Sequence, residues 1–173
     1  EEAEIVRIGA TFFQPDDQQH GAVYIDNLTA FQIPRIVLST SLEHIVHGDT
    51  GLVDIHINGS FPSLSSIDLS FSGFHDQLDF VDIVADSTSL MGSLGWDIQH
   101  SITDSVLITT SSGPDNITVG GKLFSLKLAV NDTLSSQMIP IDIVHFLGNT
   151  DLVEYAASSG GVQVVWGPTV GFT

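Results

Sequence analysis

An all-β sandwich is the fold class this sequence predicts, on three observations. Apolar and polar residues alternate in several short runs. Gly, Pro, Asn and Asp punctuate the chain between those runs, and no stretch carries a convincing helical stripe. A period of two sends successive side chains to opposite faces, which suits strands with one buried face; a helix needs apolar residues three and four apart. The clearest alternation lies within residues 65–130. It opens with Ile67-Asp68-Leu69-Ser70-Phe71-Ser72, turns at Gly73 and continues through the apolar run from Leu78 to Val84. It closes with Gly120 to Val130, where Phe124, Leu126, Leu128 and Val130 share one face.

From the start of the chain, Val6, Ile8, Ala10 and Phe12 alternate and predict a strand, and Pro15-Asp16-Asp17 marks a turn. A second strand is expected from Ala22 to Phe31, before Pro34. Residues 1–34 therefore read as an N-terminal strand extension, 35–166 as the sandwich and 167–173 as a tail. In the sandwich, Ile36-Val37-Leu38 starts a strand and Gly48 to Gly51 is a turn. Val53, Ile55 and Ile57 face inward while Asp54, His56 and Asn58 face out, and Asn58-Gly59 ends that strand. Trp96 to Ile98 and Ser105 to Thr110 are further strands. Ser111 to Asn116 reads as a loop from its Gly, Pro and Asn content. Ile139 to Val144 reads as an edge strand, because Pro140 cannot donate to a central ladder. Gly161 to Trp166 is the last of nine to eleven strands, and Leu147 to Ala157 has room for one short helical turn.

The order of these segments resembles the cohesin family of bacterial and archaeal cell-surface modules, over about residues 35–166. The matching features are an amphipathic strand, a short loop, the strand Leu78-Asp79-Phe80-Val81, a long polar excursion, and then Gly121-Lys122-Leu123-Phe124-Ser125-Leu126-Lys127-Leu128-Ala129-Val130. The resemblance implies a jelly-roll sandwich and recognition of a dockerin-like partner through an exposed sheet face.

Charge narrows the partners. With 21 acidic against 4 basic residues the net charge is −17, and a nucleic-acid backbone or an anionic membrane surface needs a basic footprint. No apolar run approaches the roughly 18 residues that span a bilayer. A carboxylate-rich surface suits calcium, high salt or a basic partner. There is no cysteine, so no disulfide staples the fold. The chain starts Glu1-Glu2 without Met, which fits a mature product whose secretion signal has been removed.

The asparagines carry the sharpest local signal. Of five, four sit in Asn-x-Ser/Thr: Asn27, Asn58, Asn116 and Asn131. Ser and Thr together make up 33 of 173 residues, so only about one of five would match by chance. The expectation is N-glycosylation at surface turns, outside the cell. A secreted, glycosylated, β-rich chain is similar in profile to archaeal extracellular filament subunits joined by strand exchange.

Catalytic signals are weak. The seven histidines are scattered, and His44 and His47, the nearest pair, have neither a cysteine nor a helical zinc motif beside them. Gly92-Ser93-Leu94-Gly95 lacks the spacing of a nucleophile elbow. Asp54, Asp68, Asp79, Asp82 and Asp142 alternate with apolar residues, as a solvated strand face does. The residues point away from an enzyme. Calcium is the one metal entertained, with Asp16, Asp17, Asp49 and Asp151 as donors in turns. Trp96, Trp166, Tyr24 and Tyr155 are the aromatics a sugar-binding face would use.

The leading expectation is a structural subunit of an extracellular, cell-surface filament or tube. Copies of the chain would join by donating the ribbon Ile5, Val6, Ile8, Ala10, Phe12 and Phe13 to an edge strand of the next subunit. The alternatives are a cohesin-type module for a dockerin-like partner and a carbohydrate-binding module.

Overall fold

A computed structural model of the chain describes residues 36–61, 63–74, 78–131, 136–149 and 155–165. All of them belong to one compact unit, Pro34–Thr173. Eleven strands and one short helix follow in order: β1 (Ile36–Thr40), β2 (Leu42–Val46), β3 (Thr50–Gly59), β4 (Leu64–Ser72), β5 (Leu78–Val84), α1 (Leu90–Ser93), β6 (Asp97–Thr103), β7 (Val106–Ile117), β8 (Gly121–Val130), β9 (Met138–Gly148), β10 (Tyr155–Ser158) and β11 (Gly160–Val165). They form a five-stranded sheet, β10-β1-β3-β8-β5, and a six-stranded sheet, β2-β11-β9-β4-β7-β6. The expected all-β jelly-roll sandwich is the fold observed.

Alternation in the sequence becomes the core between the sheets. Val53, Ile55 and Ile57 of β3, Ile67, Leu69 and Phe71 of β4, and Phe124, Leu126, Leu128 and Val130 of β8 are all buried. Each such side chain, taken from water, contributes about 1.5–3 kcal/mol before chain entropy is charged against it. Phe71 and Phe124 meet edge-on across the sandwich at 6.2 Å, and Phe146 of β9 reaches Tyr155 of β10 at 5.7 Å. Two hydroxyls point into this apolar layer from β7. Ser111 Oγ donates to Ile67 O at 2.8 Å and Thr109 Oγ1 to Leu69 O at 3.4 Å, so neither is buried without a partner.

The two sheets are tied where the chain changes layer. β1 runs parallel to β10 in one sheet, and β2 runs parallel to β11 in the other. Both crossings occur side by side, at Ser41 and at Ser159. Ser41 Oγ accepts from Asp54 N at 2.8 Å, Ser41 O accepts from Gly161 N at 2.9 Å, and Thr40 Oγ1 donates to Ile141 O at 3.1 Å. A Cβ at Gly160 would lie 2.4 Å from Ser41 O, so the crossing requires glycine there.

Four expectations are corrected. Pro140 lies in a central strand, since β9 sits between β11 and β4. It is tolerated because β4 pairs with β9 only as far as Asp142, while Gly161, opposite Pro140, turns its own N–H to Ser41. The proline nitrogen thus faces ladder that β4 does not reach. Ser111 to Asn116 is not wholly a loop: Ser111 and Ser112 are paired within β7, residues 113–116 have no ladder partner among the described residues, and pairing resumes at Ile117 opposite Leu64. The register slips between Leu64 and Ser66, so the Gly- and Pro-bearing stretch bulges between the two paired parts. β2 and β10 are strands that alternation did not reveal; β2 buries only Ile45 and β10 is built from Tyr-Ala-Ala-Ser. Lastly, α1 falls where no helix was expected. Ser89 caps it by accepting from Gly92 N at 3.1 Å, and Asp86 braces the approach by accepting from Thr88 N and Oγ1 at 2.8 and 2.6 Å. Those bonds from Thr88, its hydroxyl first and its amide second, hold the Asp86 carboxyl below the usual carboxylate range.

Candidate functional site

In a strand ladder, directly opposed residues share a face, so the registers define what each sheet presents to solvent. The outer face of the five-stranded sheet is ionic. Asp54 accepts from Ser125 Oγ at 2.6 Å and lies 3.9 Å from Lys122 Nζ. Lys127 stands between Leu52 and Asp82, and Ala129 is flanked by Asp79. Near the start of β8, Leu90 of α1 comes against Gly121, where a Cβ would meet Leu90 Cδ1 at 3.4 Å.

The outer face of the six-stranded sheet differs. One row across it reads Gln99, Thr110, Asp68, Leu147; the next reads Ser101, Ile108, Ser70, His145. A register shift on β9 between the partners of Ser70 and Phe71 leaves Val144 as the extra residue, and it is 50% exposed beside exposed His145. Toward the other edge, Met138 is opposite Gln163, which is opposite His44. Leu42 and Val46 complete the face on β2. Of the nine large apolar residues that the described surface exposes, five stand here: Leu42, Val46, Ile108, Met138 and Val144. Hydroxyl and amide side chains fill the gaps, and the carboxylates Asp97, Asp68 and Asp142 lie among them. Among the described residues the face carries no lysine or arginine, and its exposed apolar side chains are of the kind that anchor a protein interface.

The residues singled out from sequence are distributed otherwise. Ile5, Val6, Ile8, Ala10, Phe12 and Phe13, together with Asn27, Asp16, Asp17, Asp151, Tyr24 and Trp166, lie outside the described residues. Asp49 is exposed in the turn between β2 and β3, where its backbone exchanges hydrogen bonds with Val46 and Val130. Among the described residues no three His, Asp or Glu side chains gather closely enough to hold a metal. Trp96 is buried against Gly113 with Nε1 donating to Asp115 O at 2.8 Å, and Tyr155 is half-buried on Phe146. Neither forms an exposed aromatic platform for a sugar. Asn58, Asn116 and Asn131 are exposed at strand ends.

Comparison with solved structures places the architecture. The seventh type I cohesin of a Pseudobacteroides cellulosolvens scaffoldin matches at a TM-score of 0.63 and 12% identity, covering 80% of this chain and 97% of its own. A non-cellulosomal cohesin from the hyperthermophilic archaeon Archaeoglobus fulgidus matches at 0.61 and 16%, over 76% and 91%. The chain has the cohesin fold. A third match, at 0.63 and 14% over 75% and 99%, comes from a type I cohesin–dockerin complex of Clostridium thermocellum. No protein-family model and no curated protein matches the sequence. The cohesin-like fold was legible from strand order, whereas the outward-facing set on β9, β4 and β7 required the registers. Val144 and His145 could not be placed on that face by alternation alone, because the bulge breaks the period.

Among the described residues no helix is long and apolar enough to cross a membrane.

Proposed function

We propose that the chain is a protein-binding module that docks a dockerin-like partner on the outer face of its six-stranded sheet. The observation that carries this reading is the exposed apolar pair at the centre of that face, Ile108 and Val144 among Ser70, Ser101 and Thr110, with Asp68 and Asp142 as the neighbouring carboxylates. A flat sheet with two apolar anchors and a hydroxyl surround offers burial and adaptable hydrogen bonding. The match to the Clostridium thermocellum complex, in which a cohesin holds a dockerin, supports the partner class. The module works at or outside the cell surface and performs no catalysis.

The test is a set of dockerin modules displayed on yeast and sorted for binding to the chain. The retained dockerins are then measured against Ile108→Asp/Val144→Asp. Binding should fall at least about ten-fold, as loss of central anchors does. Undiminished binding would move the site elsewhere, and failure to retain any dockerin would remove the partner class.

Self-assembly is a second reading, favoured by one observation. β6 is a terminal strand of the six-stranded sheet, seven residues long, with Asp97 as its one carboxylate and Ile102 half exposed. Such an edge accepts an added strand. The apolar ribbon from Ile5 to Phe13 has the alternation to supply it, from a second copy of the chain. Deleting residues 1–13 should abolish filaments seen by negative-stain microscopy of the intact chain; polymer that forms unchanged would refute donation.

A further inference from the structure

Among the described asparagines, Asn149 differs in setting from Asn58, Asn116 and Asn131. Asn149, which lies in no Asn-x-Ser/Thr triplet, is committed to the fold. Its Oδ1 accepts from Ser65 N at 2.7 Å and Ser65 Oγ at 3.1 Å, its Nδ2 donates to Ser63 O at 2.8 Å, and its backbone adopts φ 54°. It fastens the end of β9 to the start of β4. The triplet asparagines in the described residues differ from it in exposure: all three are exposed at strand ends, whereas Asn149 is half-buried. Asn58 is exposed at the end of β3, followed by Gly59 at φ 97° and exposed Ser60. Asn116 is exposed in the bulged end of β7, its Nδ2 donating only to the exposed Ser63 hydroxyl at 2.7 Å, with exposed Thr118 two residues on. Asn131 is exposed immediately after β8.

We propose that Asn58, Asn116 and Asn131 carry N-linked glycans, placed toward the two ends of the sandwich and away from the centre of the six-stranded sheet's outer face. The register fixes that placement. Ile117 pairs with Leu64 at the start of β4, and Gly120 approaches Asn58, so Asn58 and Asn116 share the end where β3 stops and β4 begins. Asn131 follows Val130, which bonds to Gly48 and Asp49 in the β2–β3 turn at the opposite end. The rows through Thr110-Asp68-Leu147 and Ile108-Ser70-His145 contain no acceptor asparagine. A glycan is bulky and hydrated and needs an attachment nitrogen that water already reaches. These three meet that condition, and the sugar would flank that sheet face and leave its centre open. The chemistry is an amide linkage from a lipid-carried oligosaccharide: the Asn Nδ2 displaces the carrier phosphate at the reducing-end sugar carbon, and the proton leaves with the released carrier. It requires passage of the chain through a glycosylating membrane compartment.

The experiment is glycopeptide mapping of the chain secreted by its native host, alongside intact mass. The expected result is a mass above the 18.5 kDa of the bare chain, with peptides bearing Asn58, Asn116 and Asn131 each shifted by a sugar mass on the asparagine. Asn58→Gln, Asn116→Gln and Asn131→Gln should each remove one increment, while Asn149→Gln removes none. A bare peptide at any of the three overturns the assignment there. Sugar confined to serine or threonine, or an intact mass equal to the bare chain, overturns it entirely. Neither outcome touches the docking proposal, which is read by dockerin binding.

Discussion

Trp96 and Gly113 belong to one contact. The indole ring lies where a Cβ on residue 113 would stand, 2.1 Å from Trp96 Cδ1, and the ring is anchored by its bond to Asp115 O. Gly113→Ala therefore forces either the indole or the β7 bulge to move. The expected loss is about 1–3 kcal/mol, read as a lower denaturation midpoint with an unchanged slope. Stability equal to wild type would mean the bulge yields freely. The same contact explains why a tryptophan in a turn-rich region is no lectin-like platform here: burial and its hydrogen bond use both its apolar body and its polar tip. Residue type alone announced an aromatic, and only its neighbours showed what it is for.

At the scale of strands, legibility followed amphipathic length. β3, β4 and β8 are nine or ten residues long and alternate over most of their length, though Leu123 to Leu126 of β8 are all buried, so their faces were readable at once. β2 and β10 have five and four residues, too few for a period to stand out. Pro140 and the Gly-Pro pair of β7 misled for the opposite reason. Each is a true ladder breaker, but the breaks fall where a neighbouring strand has ended or where the register slips, and no local rule sees the neighbour. The paired crossings at Ser41 and Ser159 are likewise invisible in sequence, since they join residues about 120 apart. They make a specific demand on Gly160. Gly160→Ala should destabilise the sandwich by about 1–3 kcal/mol, because the methyl group meets the backbone oxygens of Thr40 and Ser41 at 2.4 Å and not a flexible side chain. Thermal unfolding followed by circular dichroism measures it. An unchanged midpoint would show that the two crossings separate without loss.

For the whole molecule, the acidic excess and the sheet faces act together. Twenty-one carboxylates keep such chains apart in solution, while the outer face of the six-stranded sheet concentrates what contact needs: Ile108 and Val144 at its centre, and Leu42, Val46 and Met138 toward one edge. The opposite outer face keeps its charges paired or solvated around Asp54, Lys122 and Lys127. Composition argues against nucleic acid as a partner, but could not choose between the two faces, because both alternate. Registers and the β9 bulge make that choice.

The most direct measurement is a backbone amide NMR footprint of the chain bound to a dockerin retained in the display selection. Perturbations are expected to centre on β9, β4 and β7, strongest around Ile108, Ser70, Val144 and His145, with the outer residues of β3 and β8 unmoved. A footprint centred on Asp54, Lys122 and Lys127, or on the β6 edge alone, would contradict the account.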